Sequence, residues 1–265
     1  MVLPFVMGAI WLYVAARFVR LLAAPARLRI VLAAILLLVA EYQVFTSRFF
    51  GSLASPELPR WTLVALAWAF GALLLLAMLL LLRDVIGIVA FVITRRAGRS
   101  VLANGKLALA LGMAAALLSA FGVWQAVKVP PVKTVEIGVA GLPAAFDGYR
   151  IVQLSDLHAS RLLPASWVAA VVARVDAAQP DLIVITGDLE DGTPEARAAD
   201  VRPLRDLRAR DGVLAVPGNH EYYADYAGWM AAFRKLGLHM LENAHVVIRR
   251  DGAVLAVAGI TDPQA

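Results

Sequence analysis

The chain has 265 residues, of which 61% are hydrophobic and 17% charged, with a formal charge of +5. That is too apolar for a wholly water-soluble protein, and the length allows one large domain or two modest ones. With no cysteine, disulfides and thiolate metal sites are excluded, and any metal falls to His, Asp, Glu or Asn.

The charge is unevenly divided. Residues 1–127 carry 11 Lys+Arg against 3 Asp+Glu, whereas residues 128–265 carry 14 against 17. The basicity therefore belongs to the apolar half, where membrane topology accounts for it. The second half has no basic stripe with interleaved aromatics, so no nucleic-acid partner is expected.

In chain order, the first region is 1–127, with four membrane helices expected at 2–22, 29–46, 61–82 and 107–127. The third, WTLVALAWAFGALLLLAMLLLL, and the fourth, LALALGMAAALLSAFGVWQAV, run charge-free for more than 20 residues, enough to cross about 30 Å of hydrocarbon. The first is extended past Arg17 if that side chain snorkels, and the second is interrupted by Glu41. A cleaved signal peptide is the weaker reading of the start, because no basic stretch precedes the apolar run and no small-residue cleavage site follows it. The first loop carries Arg17, Arg20, Arg27 and Arg29, and the third carries Arg83, Arg95, Arg96, Arg99 and Lys106. The second has only Arg48 and Arg60, beside Glu57. By the positive-inside rule loops one and three face the cytoplasm. The expectation is a multi-pass protein of a cytoplasmic (inner) membrane with everything after residue 127 on the extracytoplasmic side. Glu41 falls near the outer end of its span, within reach of interfacial water, and no pair of broken helices marks a transporter.

Residues 128–148 read as a linker and a first strand. Pro130 and Pro131 end the last membrane helix, and VKTVEIGV alternates as a strand does. From 149 to 265 strands alternate with helices: strands at 149–155, 181–187 and 212–218, helical spacing at 164–179, 195–209 and 224–236, and a closing hairpin in HVVIRRDGAVLAVAGI that turns at 250–252. This order predicts an α/β domain with a largely parallel sheet.

Each of the three strands ends on a particular kind of polar residue: Ser155, Asp156, Leu157 and His158; then Gly187, Asp188, Leu189, Glu190 and Asp191; then Gly218, Asn219, His220 and Glu221. Right-handed crossovers deliver such ends to one edge of a parallel sheet, where ligands bind. Asp156 and His158, two apart in an extended segment, would point the same way and chelate one ion. Asp188 on its glycine turn offers an oxygen that can bridge two ions, and Asn219 offers a neutral carbonyl to a second. His220 is left for hydrogen bonding or proton transfer. Two cations about 4 Å apart can clamp a phosphoryl group. Glu190 and Asp191 read as caps of the next helix, Glu221 as a residue that orients a neighbouring loop, and Tyr222 and Tyr223 as packing or cleft residues. Arg202, Arg205, Arg208 and Arg210 read as a solvated helix face.

The series Asp156-Leu157-His158, Gly187-Asp188, Gly218-Asn219-His220-Glu221 resembles the calcineurin-like metallophosphoesterase superfamily, and with the spans in front it is similar to that group's bacterial membrane-anchored members. The resemblance covers roughly 130–265. It implies a four-layer α/β sandwich, two divalent ions (Mn, Fe, Zn or a mixture) and hydrolysis of phosphomonoesters, phosphodiesters or pyrophosphates. Asp156 and His158 would then ligate the first metal, Asp188 would bridge, Asn219 would ligate the second, and His220 would contact the phosphate or protonate the leaving group. Tethering points to a phosphate-ester substrate that is lipid-linked or part of the envelope. The family completes its site with three later histidines, whereas after residue 221 this chain has only His239 and His245, with the sequence stopping at 265. The expectation is a domain incomplete at its carboxyl end. The rival expectation is a degenerate, inactive domain that serves as a membrane scaffold or partner-binding module.

Overall fold

The computed structural model describes residues 2–50 and 55–262. The chain divides into two compact units, Met1–Lys128 and Val129–Ala265.

The first unit is helical: α1 (Leu3–Arg17), α2 (Ala26–Ala40), α3 (Tyr42–Phe49), α4 (Arg60–Ile93), α5 (Arg95–Leu102) and α6 (Gly105–Val127). Pro4 in the first turn of α1 and Asn104, whose side chain accepts from Leu107 N–H at 3.0 Å, start their helices where the first N–H groups have no partner. The stretches Leu3–Leu21, Arg60–Ile93 and Gly105–Val127 are long and apolar enough to cross a membrane. α2 and α3, bent by 50° relative to each other, make a fourth if taken as one span. At 34 residues α4 is about 51 Å long, well beyond one hydrocarbon thickness. Two of its polar residues are buried in a closed network. Asp84 accepts from Tyr13 Oη at 2.9 Å, Arg17 Nε at 2.5 Å and Arg83 Nη2 at 2.7 Å, so these three charges answer one another against the apolar helices. α4 and α6 approach closely at Gly71, where a Cβ would lie 2.6 Å from Ser119 Oγ. Ser119 in turn donates to Trp68 O at 2.8 Å.

The second unit contains β1 (Ile151–Leu154), α7 (Ala165–Ala177), β2 (Leu182–Thr186), α8 (Pro194–Val201), β3 (Val213–Val216), α9 (Asn219–Tyr223), α10 (Tyr226–Lys235), β4 (His239–Met240), β5 (Ala244–Arg250) and β6 (Ala253–Gly259). β1 to β4 form a parallel sheet in that order, with Leu154 opposite Ile185 and Thr186 opposite Val216. β5 and β6 form an antiparallel hairpin. Side chains alternate across β2 and β3. Ile183, Ile185 and Ala215 meet Val171 and Val175 of α7 and Trp229 and Phe233 of α10, whereas Leu182 and Leu214 meet Ile248, Leu255 and Val257 of the hairpin. The layers are therefore helices, parallel sheet, hairpin. Each fully buried Leu or Ile contributes about 1.5–3 kcal/mol, which is why near-continuous apolar runs read correctly as central strands. The hairpin turns on Asp251 (φ 46°) and Gly252 (φ 79°), the left-handed pair that a two-residue turn requires.

Two expectations fail. The strand read in VKTVEIGV does not form: residues 131–140 have no regular structure and are exposed throughout, Ile137 at 78%. Alternation supplies two faces, but a strand needs a ladder partner, and no strand of either sheet pairs with this segment. The helix expected over 195–209 stops at Val201 and gives way to a 3₁₀ turn, Arg202–Asp206, because Pro203 has no N–H to continue the α-helical pattern. The four arginines of 202–210 are exposed, as expected, but lie on a turn and a loop rather than along a helix.

Candidate metal centre

Because β1, β2 and β3 are parallel neighbours, their carboxyl ends open along one edge of the sheet, and the segments that follow are laced together there by their backbones. Asp156 N–H donates to Gly187 O at 3.3 Å, His158 N–H to Asp188 O at 3.0 Å, Ala159 N–H to Leu189 O at 2.9 Å and Asp191 N–H to Ala159 O at 3.1 Å. The lacing requires left-handed backbone at Asp156 (φ 54°), His158 (φ 43°) and Asp188 (φ 55°), a strain on the order of 1–3 kcal/mol each. The extended Asp-x-His geometry read from the sequence is thus replaced by left-handed backbone at both residues, yet Asp156 Oδ1 still lies 3.8 Å from His158 Nε2. The glycines have a steric reason. A Cβ on Gly187 (φ 90°) would lie 2.4 Å from Gly218 N, and one on Gly218 would lie 2.3 Å from Asp188 Oδ1. Only two glycines let the β2 and β3 ends approach this closely.

His158, Asp188 and His220 each bring a potential ligand atom within 4.8 Å of the others. The two imidazoles meet edge to face at 4.4 Å between centroids, and both use Nδ1 on a single atom, Asp191 Oδ1, at 3.1 Å and 2.7 Å. Asp188 Oδ1 accepts from His220 N–H at 3.0 Å. Asn219 Nδ2 donates to the Tyr223 hydroxyl at 2.7 Å, which leaves its carbonyl oxygen as the end able to bind a cation. Asp156 stands further out, its side chain 65% exposed, with Ser155 Oγ donating to its carboxylate.

The match to known proteins falls on these same segments. Residues 149–260 match the family model for calcineurin-like phosphoesterases. The second unit is a calcineurin-like metallophosphoesterase domain. A transmembrane protein with metallophosphoesterase domain from Bos taurus is 36% identical over 183 residues, 64% of this chain and 41% of that protein. Its namesake from Danio rerio is 34% identical over 154 residues, 57% and 35%. An uncharacterized metallophosphoesterase of Helicobacter pylori is 32% identical over 137 residues, 51% and 36%. The chain thus covers between 35% and 41% of the length of these relatives. No solved structure gives a significant match.

The donors of the phosphoesterase domain are imidazole nitrogen, carboxylate oxygen and amide oxygen, without thiolate, and that set suits Zn, Mn or Fe. Asp191 is the feature that sequence reading missed. It was expected to cap a helix, but Thr193 does that, accepting from Ala196 N–H at 3.4 Å. Burial alone would raise the Asp191 carboxyl, but the hydrogen bonds and charges of His158 and His220 outweigh it and hold the group below its usual range. The same hydrogen bond raises His158 against the opposing effect of burial, with Asp188 and Asp156 adding to the rise. An ionised Asp191 fixes the proton on Nδ1 of both rings and frees Nε2 to bind, the usual arrangement behind a ligating histidine.

Glu221 orients loops, as expected. Its carboxylate accepts from Gly218 N–H at 2.7 Å, Leu189 N–H at 2.7 Å and Asp188 N–H at 3.1 Å, tying the β2 loop to the β3 loop. Burial nevertheless raises its carboxyl, against the pull of those donors. Glu190 does not cap a helix. It is fully buried, and neither carboxylate oxygen has a hydrogen-bond partner among the described residues. Burial first, then the charges of Glu221 and Asp191, push it up to about 9; the Gly192 N–H opposes this without reaching hydrogen-bond geometry. His239 and His245 lie exposed in β4 and β5, outside the cluster.

Proposed function

We propose that this chain is a membrane-anchored phosphoesterase with its catalytic domain on the extracytoplasmic side of a cytoplasmic membrane crossed four times, α2 and α3 counting as one crossing. The observation that carries the chemistry is the convergence of His158, Asp188 and His220, from three separate strand ends, within 4.8 Å. In this reading Asp156, His158, Asp188 and Asn219 would hold the divalent cations, with Asp188 central among them. A cation there, Mn, Fe or Zn, supplies Lewis acidity toward a phosphoryl oxygen. The protein's own part is positioning. Glu221 and the two glycines keep Asp188 and Asn219 facing the same edge, Asp191 aims both imidazoles, and His220 delivers a proton to the leaving oxygen. The tether favours a lipid-linked or envelope phosphate ester, because substrate and site then share one surface.

The test uses the full chain in detergent or nanodiscs, assayed against bis(p-nitrophenyl) phosphate and p-nitrophenyl phosphate with Mn, Zn or Fe, and with bound metal counted by mass spectrometry. Metal-dependent turnover lost in Asp188→Asn is expected. Full retention of turnover by that variant would overturn the mechanism.

A further inference from the structure

A second site lies in the helical unit and owes nothing to the phosphoesterase reading. Where α2 breaks into α3, the chain bends by 50° at Glu41, and a cleft of about 250 Å³ opens between this bend and the first turns of α1. Glu41, Gln43 and Ser47 supply its polar lining, with Leu3, Met7 and Val44 among the apolar residues. The Glu41 carboxylate lies against α1 at Gly8, where a Cβ would sit 3.7 Å from its oxygen. An acid within a membrane helix is normally paired or functional, and Arg17 and Arg83 are engaged with Asp84 instead.

Glu41 only accepts; Ser47 Oγ donates to Val44 O at 3.2 Å, which leaves its lone pairs as acceptors; the Gln43 amide offers a carbonyl oxygen beside its two N–H donors. The negative end of α2, 15 residues long, adds to the pull on a cation. A group with three N–H donors and a positive charge satisfies this set, which describes a primary ammonium. The opposite wall is the start of α1, whose positive end suits a phosphate beside that ammonium. We infer that the Glu41 cleft binds the headgroup of a zwitterionic phospholipid bearing a primary amine, with the acyl chains running along the exposed apolar residues such as Phe5 and Val44.

The experiment is native mass spectrometry of the full chain released from nanodiscs of mixed phosphatidylethanolamine and phosphatidylglycerol. One phosphatidylethanolamine should be retained preferentially, with preference over phosphatidylglycerol reduced about tenfold in Glu41→Gln and lowered also in Gln43→Leu. Glu136→Gln, an exposed acid outside the cleft, should behave as the parent. Equal retention of both lipids, or an unchanged preference in both Glu41→Gln and Gln43→Leu, overturns the inference. So does displacement by soluble phosphoethanolamine at low millimolar concentration, which would make the ligand a free metabolite rather than a lipid. Phosphatase activity stays the same in either case, so failure here is distinguishable from failure of the proposed function.

Discussion

The two ends of the parallel sheet are built on opposite principles. At the amino end, Arg250 reaches Asp181 and Asp211, both at 2.8 Å, Tyr149 donates to Asp211 at 2.7 Å, and the Arg250 guanidinium lies 4.6 Å from the centroid of the Tyr149 ring. One guanidinium nitrogen answers two carboxylates there, although Arg250 Nε is buried without a hydrogen-bond partner among the described residues, and the hairpin is pinned to the sheet through β5. At the carboxyl end, three non-glycine residues hold left-handed backbone, and neither oxygen of the buried Glu190 carboxylate has a hydrogen-bond partner among the described residues. In the proposed function, the left-handed backbone and the unpartnered Glu190 belong to a metal-binding end, and the ion-paired amino end belongs to the scaffold.

That contrast can be broken by mutation. The largest effect is expected for Asp188→Asn, with turnover falling more than about a hundredfold and bound metal lost, while the melting temperature of the metal-free protein changes little. A large loss of apo stability would show that the carboxyl end is structural after all. The opposite pattern is expected for Asp211→Ala at the amino end. Tyr149 loses its acceptor and Arg250 one of its two carboxylates, which should cost about 2 kcal/mol in denaturant melts, with metal affinity intact. Between them stands Asp191→Asn. Its neutral side chain no longer holds both Nδ1 protons, so metal affinity should drop about 10–100-fold, measured by competition with a chelator, with a smaller change in melting.

The same contrast decides what the sequence could disclose. The parallel strands and the three polar strand ends were legible because each is a local pattern: an apolar run ended by Asp-x-His, Gly-Asp or Gly-Asn-His. The strand read at 132–139 also had a local pattern, but strand formation depends on a neighbour, and pairing is not written in the segment itself. Asp191 was misjudged for a related reason. Its position fits a cap, and only the fold of the turn brings its carboxylate between two histidines from different strand ends. Glu190 was unreadable in principle, because burial of an acid is a property of the surrounding layers. Arg250 likewise looks like an ordinary hairpin charge until the hairpin is laid across the amino ends of β2 and β3.

The smallest expected effect tests the amino end through pH. Asp181 is held below its usual range first by the Arg150 N–H, at 2.9 Å, and then by Arg250. A carboxyl whose folded value lies below its unfolded value contributes stability that is fully present above the unfolded value, about 3.8, and is lost as pH falls through the folded one. The parent should therefore lose some stability on acidification below about pH 4 that Asp181→Asn does not lose, because the amide oxygen still accepts from Arg150 but carries no titrating charge. With Asp181 partly exposed, the difference should be about 0.5–1 kcal/mol, read from denaturant melts at pH 3 and pH 6. Parallel pH dependence in the two proteins would mean that the Arg250–Asp181 pair is of little consequence, and that Asp211 and the apolar contacts of Ile248, Leu255 and Val257 hold the hairpin.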